Sequence, residues 1–214
     1  MPASGTLITE TAMKLYYATG ACSLAPHIVI QEAGLQAELI RVDTKTHKVV
    51  ADGSDFYAIN PKGYVPMIEL DGGERLTEAQ VVMQYLADLA PQSGLLPPAG
   101  SLARVRVQEW LAYISSEVHT PFGPLFHPSS DEMKADARQR ITARLTWIDQ
   151  QLAGHDYLTG PAFTPADAYL FTVTRWTKYA GVDIEPFANL RAFMARVAAR
   201  PAVQRALAAE GIKG

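Results

Sequence analysis

The sequence predicts an α/β domain followed by an all-helical domain. Three observations predict it. Strand-like and helix-like segments alternate over residues 13–90, a Pro-, Gly- and Ser-rich stretch breaks the pattern at residues 91–101, and only helical periodicity remains over residues 102–214. With 214 residues, 48% apolar and 19% charged, the chain can bury the core of one large domain or of two small ones.

The elements follow in order. Residues 1–12 are small and polar and lack the basic and apolar runs of a secretory signal, so a disordered extension is expected there. Residues 14–18 are short and aromatic and read as a strand. Residues 23–33 read as a helix, with Pro26 tolerated in the first turn and Gly34 as the stop. Residues 37–42 read as a second strand, which a right-handed crossover would set parallel to the first. Residues 67–70 and 75–76 flank Asp71-Gly72-Gly73, a hairpin signal. A helix is expected from Thr77, with Gln80 at capping-box spacing and Val81, Val82, Tyr85, Leu86 and Leu89 as its buried stripe. The order β-α-β and then β-β-α is that of a thioredoxin-like domain. The apolar pair Leu95-Leu96 suggests that the linker packs down. Helical patterns follow at 102–120, 132–152, 165–179, 187–199 and 202–208. Thr164, Pro165 and Asp167 form a helix-start box, with Phe163 at the staple position. The helix after it is apolar on nearly all sides, which marks the core helix of the second domain.

Several function classes fall away. The net charge of -3, with no basic cluster, argues against nucleic acid. The apolar stretches are too short to cross a bilayer. One cysteine, Cys22, excludes an internal disulfide and every multi-cysteine metal site, and fits a reducing compartment. Phosphate-loop, dinucleotide, serine-hydrolase and zincin motifs are missing. His27, His47, His119, His127 and His155 do not stand at metal-ligand spacing, and no metal site is expected.

What remains describes a peptide site. Cys22 follows Thr19-Gly20-Ala21, at the turn into the first helix, where free N–H groups and the helix dipole favour a thiolate. The plain alternative is a small core residue. Val65-Pro66 precedes the hairpin. A cis bond there would turn the Val65 N–H and C=O toward an extended ligand, and the plain alternative is a proline at a strand start. Glu78 offers a carboxylate to an ammonium group, and the Ala79 N–H suits a ligand carboxylate. Together these groups suit a short zwitterionic peptide that carries a thiol.

The chain resembles the cytosolic glutathione transferases, and specifically the bacterial beta class. The resemblance runs from Met13 to about Lys213. It rests on Gly20-Ala-Cys-Ser-Leu-Ala25, Asn60-Pro-Lys-Gly-Tyr-Val-Pro66, Thr77-Glu78, Glu109-Trp-Leu-Ala-Tyr-Ile114 with His119, and Thr164-Pro-Ala-Asp-Ala-Tyr-Leu-Phe171. It implies that Cys22 contacts the glutathione sulfur, with Ser23 as a second hydroxyl donor. It implies a largely structural strand tyrosine at Tyr17, main-chain pairing at Val65, and a cis proline at Pro66. Glu78 and Ala79 would hold the γ-glutamyl end, and His119 would reach the sulfur from the helical domain. Three departures stand out. Tyr64 occupies the place of a glutamine in the family's best-known member. The basic residue for the glycyl carboxylate falls at His47 or Lys48. Ala79 lacks the hydroxyl of many relatives. The resemblance further implies glutathione as co-substrate, a small apolar electrophile, a homodimer and a cytoplasmic role in detoxification. Phe122, Phe126, Tyr169, Arg175 and Trp176 are candidates for the electrophile site. Two rival readings share the fold: a thiol–disulfide exchanger or peroxidase cycling Cys22 through a mixed disulfide, and a non-catalytic ligand-binding protein.

Overall fold

The computed structural model describes residues 13–212, so the extension expected at residues 1–12 lies outside the described residues. The first half holds strands β1 (Lys14–Tyr17), β2 (Glu38–Asp43), β3 (Lys48–Val49), β4 (Met67–Glu69) and β5 (Arg75–Thr77), with helices α1 (Leu24–Ala33), α2 (Phe56–Ile59) and α3 (Ala79–Leu89). The strands form one sheet in the order β3-β2-β1-β4-β5. β1 and β2 run parallel, as the crossover through α1 requires, and every other pair is antiparallel. Alternation along the strands divides the core. Leu15, Tyr17 and Ile68 face α1 and α3, while Tyr16 and Met67 face Phe56 of α2. α1 ends at Gly34, whose φ of 69° is the left-handed geometry that a glycine stop supplies.

The start of α3 differs from expectation. Thr77 pairs with Met67 as the last residue of β5, and the helix begins two residues later, after Glu78 at a φ of 68°. Strand pairing takes the backbone that a Thr77 cap would need. The buried stripe accordingly shifts to Ala79, Val82, Met83, Leu86 and Ala87, the i, i+3, i+4, i+7, i+8 spacing of one helix face, while Val81 and Leu89 are about half exposed at 47% and 46%.

The linker does pack down. Leu95 is buried, and Arg104 reaches back to hold Asp88 with two hydrogen bonds of 2.8 and 2.6 Å. The second half consists of α4 (Leu102–Tyr113), a wide π turn at Ile114–His119, α5 (Gly123–Phe126), α6 (Asp131–Gln151), α7 (Pro165–Thr174), α8 (Thr177–Ala180), α9 (Ala188–Ala198) and α10 (Pro201–Ala209). All ten residues of α7 are buried, as its apolar sequence predicts. Its start is held by Asp167, which accepts from the N–H and hydroxyl of Thr164 at 2.8 Å each and from the Leu158 N–H at 2.9 Å. The helix expected over 165–179 breaks at Arg175 and Trp176. There the Trp176 N–H tightens onto the Val173 carbonyl, and the Thr177 hydroxyl takes the Thr174 carbonyl. α1 packs on α3, α7 and α10, so one continuous core joins the two halves.

Candidate functional site

The site forms where the loop from β1 to α1 meets the run Asn60–Pro66 and the helical half. Asn60 is buried and organises that run. Its Nδ2 donates to the Tyr64 carbonyl at 2.8 Å, its Oδ1 accepts the Lys62 N–H, and its carbonyl accepts the Gly63 N–H. Gly63 has a φ of 68°, and a Cβ there would strike the Tyr57 ring. The Val65-Pro66 bond is cis.

Cys22 lies across from this loop. Its thiol donates to the Val65 carbonyl at 3.2 Å. That carbonyl is thus already partnered rather than free for a ligand. The thiolate expected from the helix N-terminus is not favoured. Cys22 is partly accessible, yet the protein packed around its sulfur pushes the thiol up to about 12, and the Cys22 and Ser23 N–H groups offset this only in part. A sulfur without a nearby cation has too little in a single helix end to overcome desolvation.

Ser23 does not point into the site. It is fully buried, and its hydroxyl donates to the Ala18 carbonyl and accepts the Ala18 N–H, closing the loop around itself. Tyr17 is buried against the His27 ring, with centroids 6.3 Å apart. Tyr64 turns its side chain outward, 73% exposed, and contributes its carbonyl to the loop. His47 is spent on the same loop: its Nδ1 lies 3.1 Å from the Gly63 carbonyl and its Nε2 3.3 Å from the Tyr57 hydroxyl. Lys48 is exposed and makes no ion pair among the described residues. Glu78 is exposed and holds the Lys62 ammonium at 2.7 Å, an interaction that residue spacing did not suggest. Ala79 is buried at the first position of α3, and no bond among the described residues takes its N–H.

From the helical half, His119 closes the π turn, and its Nδ1 lies 2.7 Å from the Tyr169 hydroxyl. Burial pushes the imidazole down to about 4, so it is neutral at physiological pH. The Trp176 ring stands edge-on at 4.8 Å from His119, 5.4 Å from Phe122 and 5.8 Å from Phe126. Phe122 is core, Phe126 is half exposed, and Arg175 lies over Phe171 rather than in this cluster. Sequence reading did not find the clasp behind the site. The Trp176 Nε1–H donates to the Gly20 carbonyl at 2.9 Å. A buried Glu210 carboxylate accepts the Gly20 N–H at 2.9 Å and meets His27 Nδ1 at 2.9 Å. No local motif marks a contact between residues 20 and 210. Among the described residues no three of His, Cys, Asp or Glu gather as a metal site would need. A cavity of about 380 Å³ lined by His155, Asp156, Asn189 and Arg196 includes none of the candidate residues.

A thioredoxin-like half that presents one thiol beside a cis-proline loop, packed on a helical half, defines a two-part protein of the thioredoxin-like class with a helical second half. Residues 11–88 match the model for the glutathione S-transferase N-terminal domain, and residues 113–201 match that for the glutathione S-transferase C-terminal domain. Glutathione S-transferase GstA of Escherichia coli O157:H7 is 45% identical, over 94% of this chain and all of that protein. Two solved structures are similar across 94% of this chain and all of theirs. A sphingomonad glutathione S-transferase complexed with glutathione is 45% identical with a TM-score of 0.89, and a bacterial beta class transferase of Sphingomonas chungbukensis is 42% identical with a TM-score of 0.90. The chain belongs to the glutathione S-transferase family, in its bacterial beta class.

Proposed function

We propose that the enzyme joins the glutathione thiolate to small apolar electrophiles at the junction of its two halves. The observation that carries this reading is the Cys22 thiol at the Val65 carbonyl, which puts a sulfur donor beside the main chain that would pair with the peptide. The similar sphingomonad enzyme has glutathione bound. In this reading the Val65 N–H pairs with the cysteinyl part and its carbonyl releases the Cys22 thiol as the peptide binds, Glu78 exchanges Lys62 for the γ-glutamyl ammonium, and the Ala79 N–H takes its carboxylate. Lys48, rather than His47, meets the glycyl carboxylate, because both His47 ring nitrogens are engaged. Phe126, Tyr169 and Trp176 line the electrophile side. The enzyme acts in the cytoplasm in detoxification and as a homodimer, with Val81 and Leu89 on α3 offering an apolar contact face. No helix among the described residues is long and apolar enough to cross a membrane.

The thiol's high pKa favours conjugation over thiol–disulfide exchange. As glutathione binds, a protonated Cys22 turns its S–H from the Val65 carbonyl to the glutathione sulfur and stabilises the thiolate there, whereas exchange needs Cys22 itself as the nucleophile. Cys22→Ala is therefore expected to slow conjugation of an aryl halide about tenfold, the loss of one hydrogen bond to a charged atom. Disulfide reduction should be weak before and after the change. Fast reduction by the wild type that vanishes in Cys22→Ala would favour the exchanger, and no glutathione binding by calorimetry would favour the non-catalytic reading.

A further inference from the structure

We propose that Tyr169 is a positioning residue for the reaction: its phenol donates to His119 Nδ1 and fixes the imidazole as the tautomer whose Nε2–H is free to donate to the glutathione sulfur. This rests on the reading of the site as a glutathione site.

The geometry is closed on two sides. Tyr169 belongs to α7, where every residue is buried, so its ring has no room to swing away. Its hydroxyl lies 2.7 Å from His119 Nδ1, within the range of an O–H···N bond, and the two rings meet at 86°. Trp176 holds the imidazole from another direction, at 66°. The direction of donation follows from chemistry. A phenol O–H is a stronger donor than a neutral imidazole N–H, and an unprotonated imidazole nitrogen is a stronger acceptor than a phenol oxygen. The proton of this bond therefore belongs to Tyr169.

A neutral imidazole carries one N–H. With Nδ1 accepting, that proton sits on Nε2. Nε2 makes no hydrogen bond among the described residues, and it is not sealed in the protein as His27 Nε2 is. The pair also lies within electrostatic reach of the sulfur end. Burial raises the Tyr169 phenol, and a negative sulfur at this end would raise it further, so the phenol stays protonated and keeps donating. His119 thus acts as a neutral donor held in one orientation. It lends a hydrogen bond to the thiolate and transfers no proton.

Nitrogen-15 NMR of His119 in the full chain tests this without relying on turnover. The wild type is expected to show an unprotonated Nδ1 and a protonated Nε2, with and without glutathione. In Tyr169→Phe the two tautomers should mix, and kcat for aryl halide conjugation should fall about tenfold while KM for glutathione stays within about twofold. In a His119→Gln background the same Tyr169 change should add almost nothing to the loss. A protonated Nδ1 in the wild type overturns the proposal, and so does an equal loss in both backgrounds, which would mark Tyr169 as packing alone. A wild type that bound no glutathione would sink the reading of the site, and the tautomer would still be read from the same spectrum.

Discussion

Asp167→Ala is expected to lower stability by about 4 kcal/mol, which for a chain of this size is about 12 °C in Tm. The carboxylate is fully buried and accepts three hydrogen bonds, two from Thr164 and one from the Leu158 N–H. Removing it strands three buried donors at the head of the helix around which both halves pack. The same group sets a pH signature. Burial raises Asp167 to about 6, against the pull of its three donors. The folded state therefore holds the proton more tightly than the unfolded chain does. The stability this supplies is complete below the ordinary carboxylate value of about 3.9, and is lost as pH rises through about 6. Asp167→Asn keeps the shape and cannot titrate. Thermal melts from pH 4 to 7 should show that variant gaining on the wild type as pH rises. Parallel curves would place the titration elsewhere.

Glu210→Ala is expected to cost about 3 kcal/mol by urea unfolding. The Glu210 side chain is sealed from solvent and serves two partners, the Gly20 N–H and His27. His27 Nε2 is already buried without a partner, so losing the carboxylate would leave both ring nitrogens stranded. Glu210→Gln preserves the size and one acceptor, and should cost about 1 kcal/mol. Conjugation should fall in the alanine variant as well, because the Gly20 peptide enters the turn that carries Cys22. An effect on stability below about 0.5 kcal/mol would mean that water replaces the carboxylate.

Much of the fold was legible because its signals are local. The Gly34 stop, the Asp71-Gly72-Gly73 hairpin and the Thr164–Asp167 box each act within a few residues, and each stands where the pattern places it. β3 and α2 span two and four residues, too few to show a period. Thr77 shows the reverse failure. Its capping spacing is real, but Met67, ten residues earlier, claims its backbone for the sheet. At the site, residue type was legible and commitment was not. Cys22 and Val65 meet through a thiol–carbonyl bond, and His119 is engaged on one nitrogen by Tyr169. Ser23 and His47 carry the right groups but have spent them on Ala18, Gly63 and Tyr57. Which hydroxyl or imidazole is already engaged depends on the loops that touch it, and spacing along one segment does not record that. The Cys22 thiol misled for a related reason: its helix end was visible in sequence, and the packing that outweighs it was not.

The peptide of Gly20 is held on both sides by residues from the far end of the chain, its N–H by Glu210 and its carbonyl by Trp176. During synthesis the strand and helix that flank this turn emerge early, while its two holders emerge some 150 to 190 residues later. Contacts of such long separation close last, after most of the loop entropy has been lost. The turn that carries Cys22, among the first segments to be made, is thus one of the last to become native. A nascent thioredoxin-like half therefore leaves the ribosome with its fold within reach and its Cys22 turn unfinished.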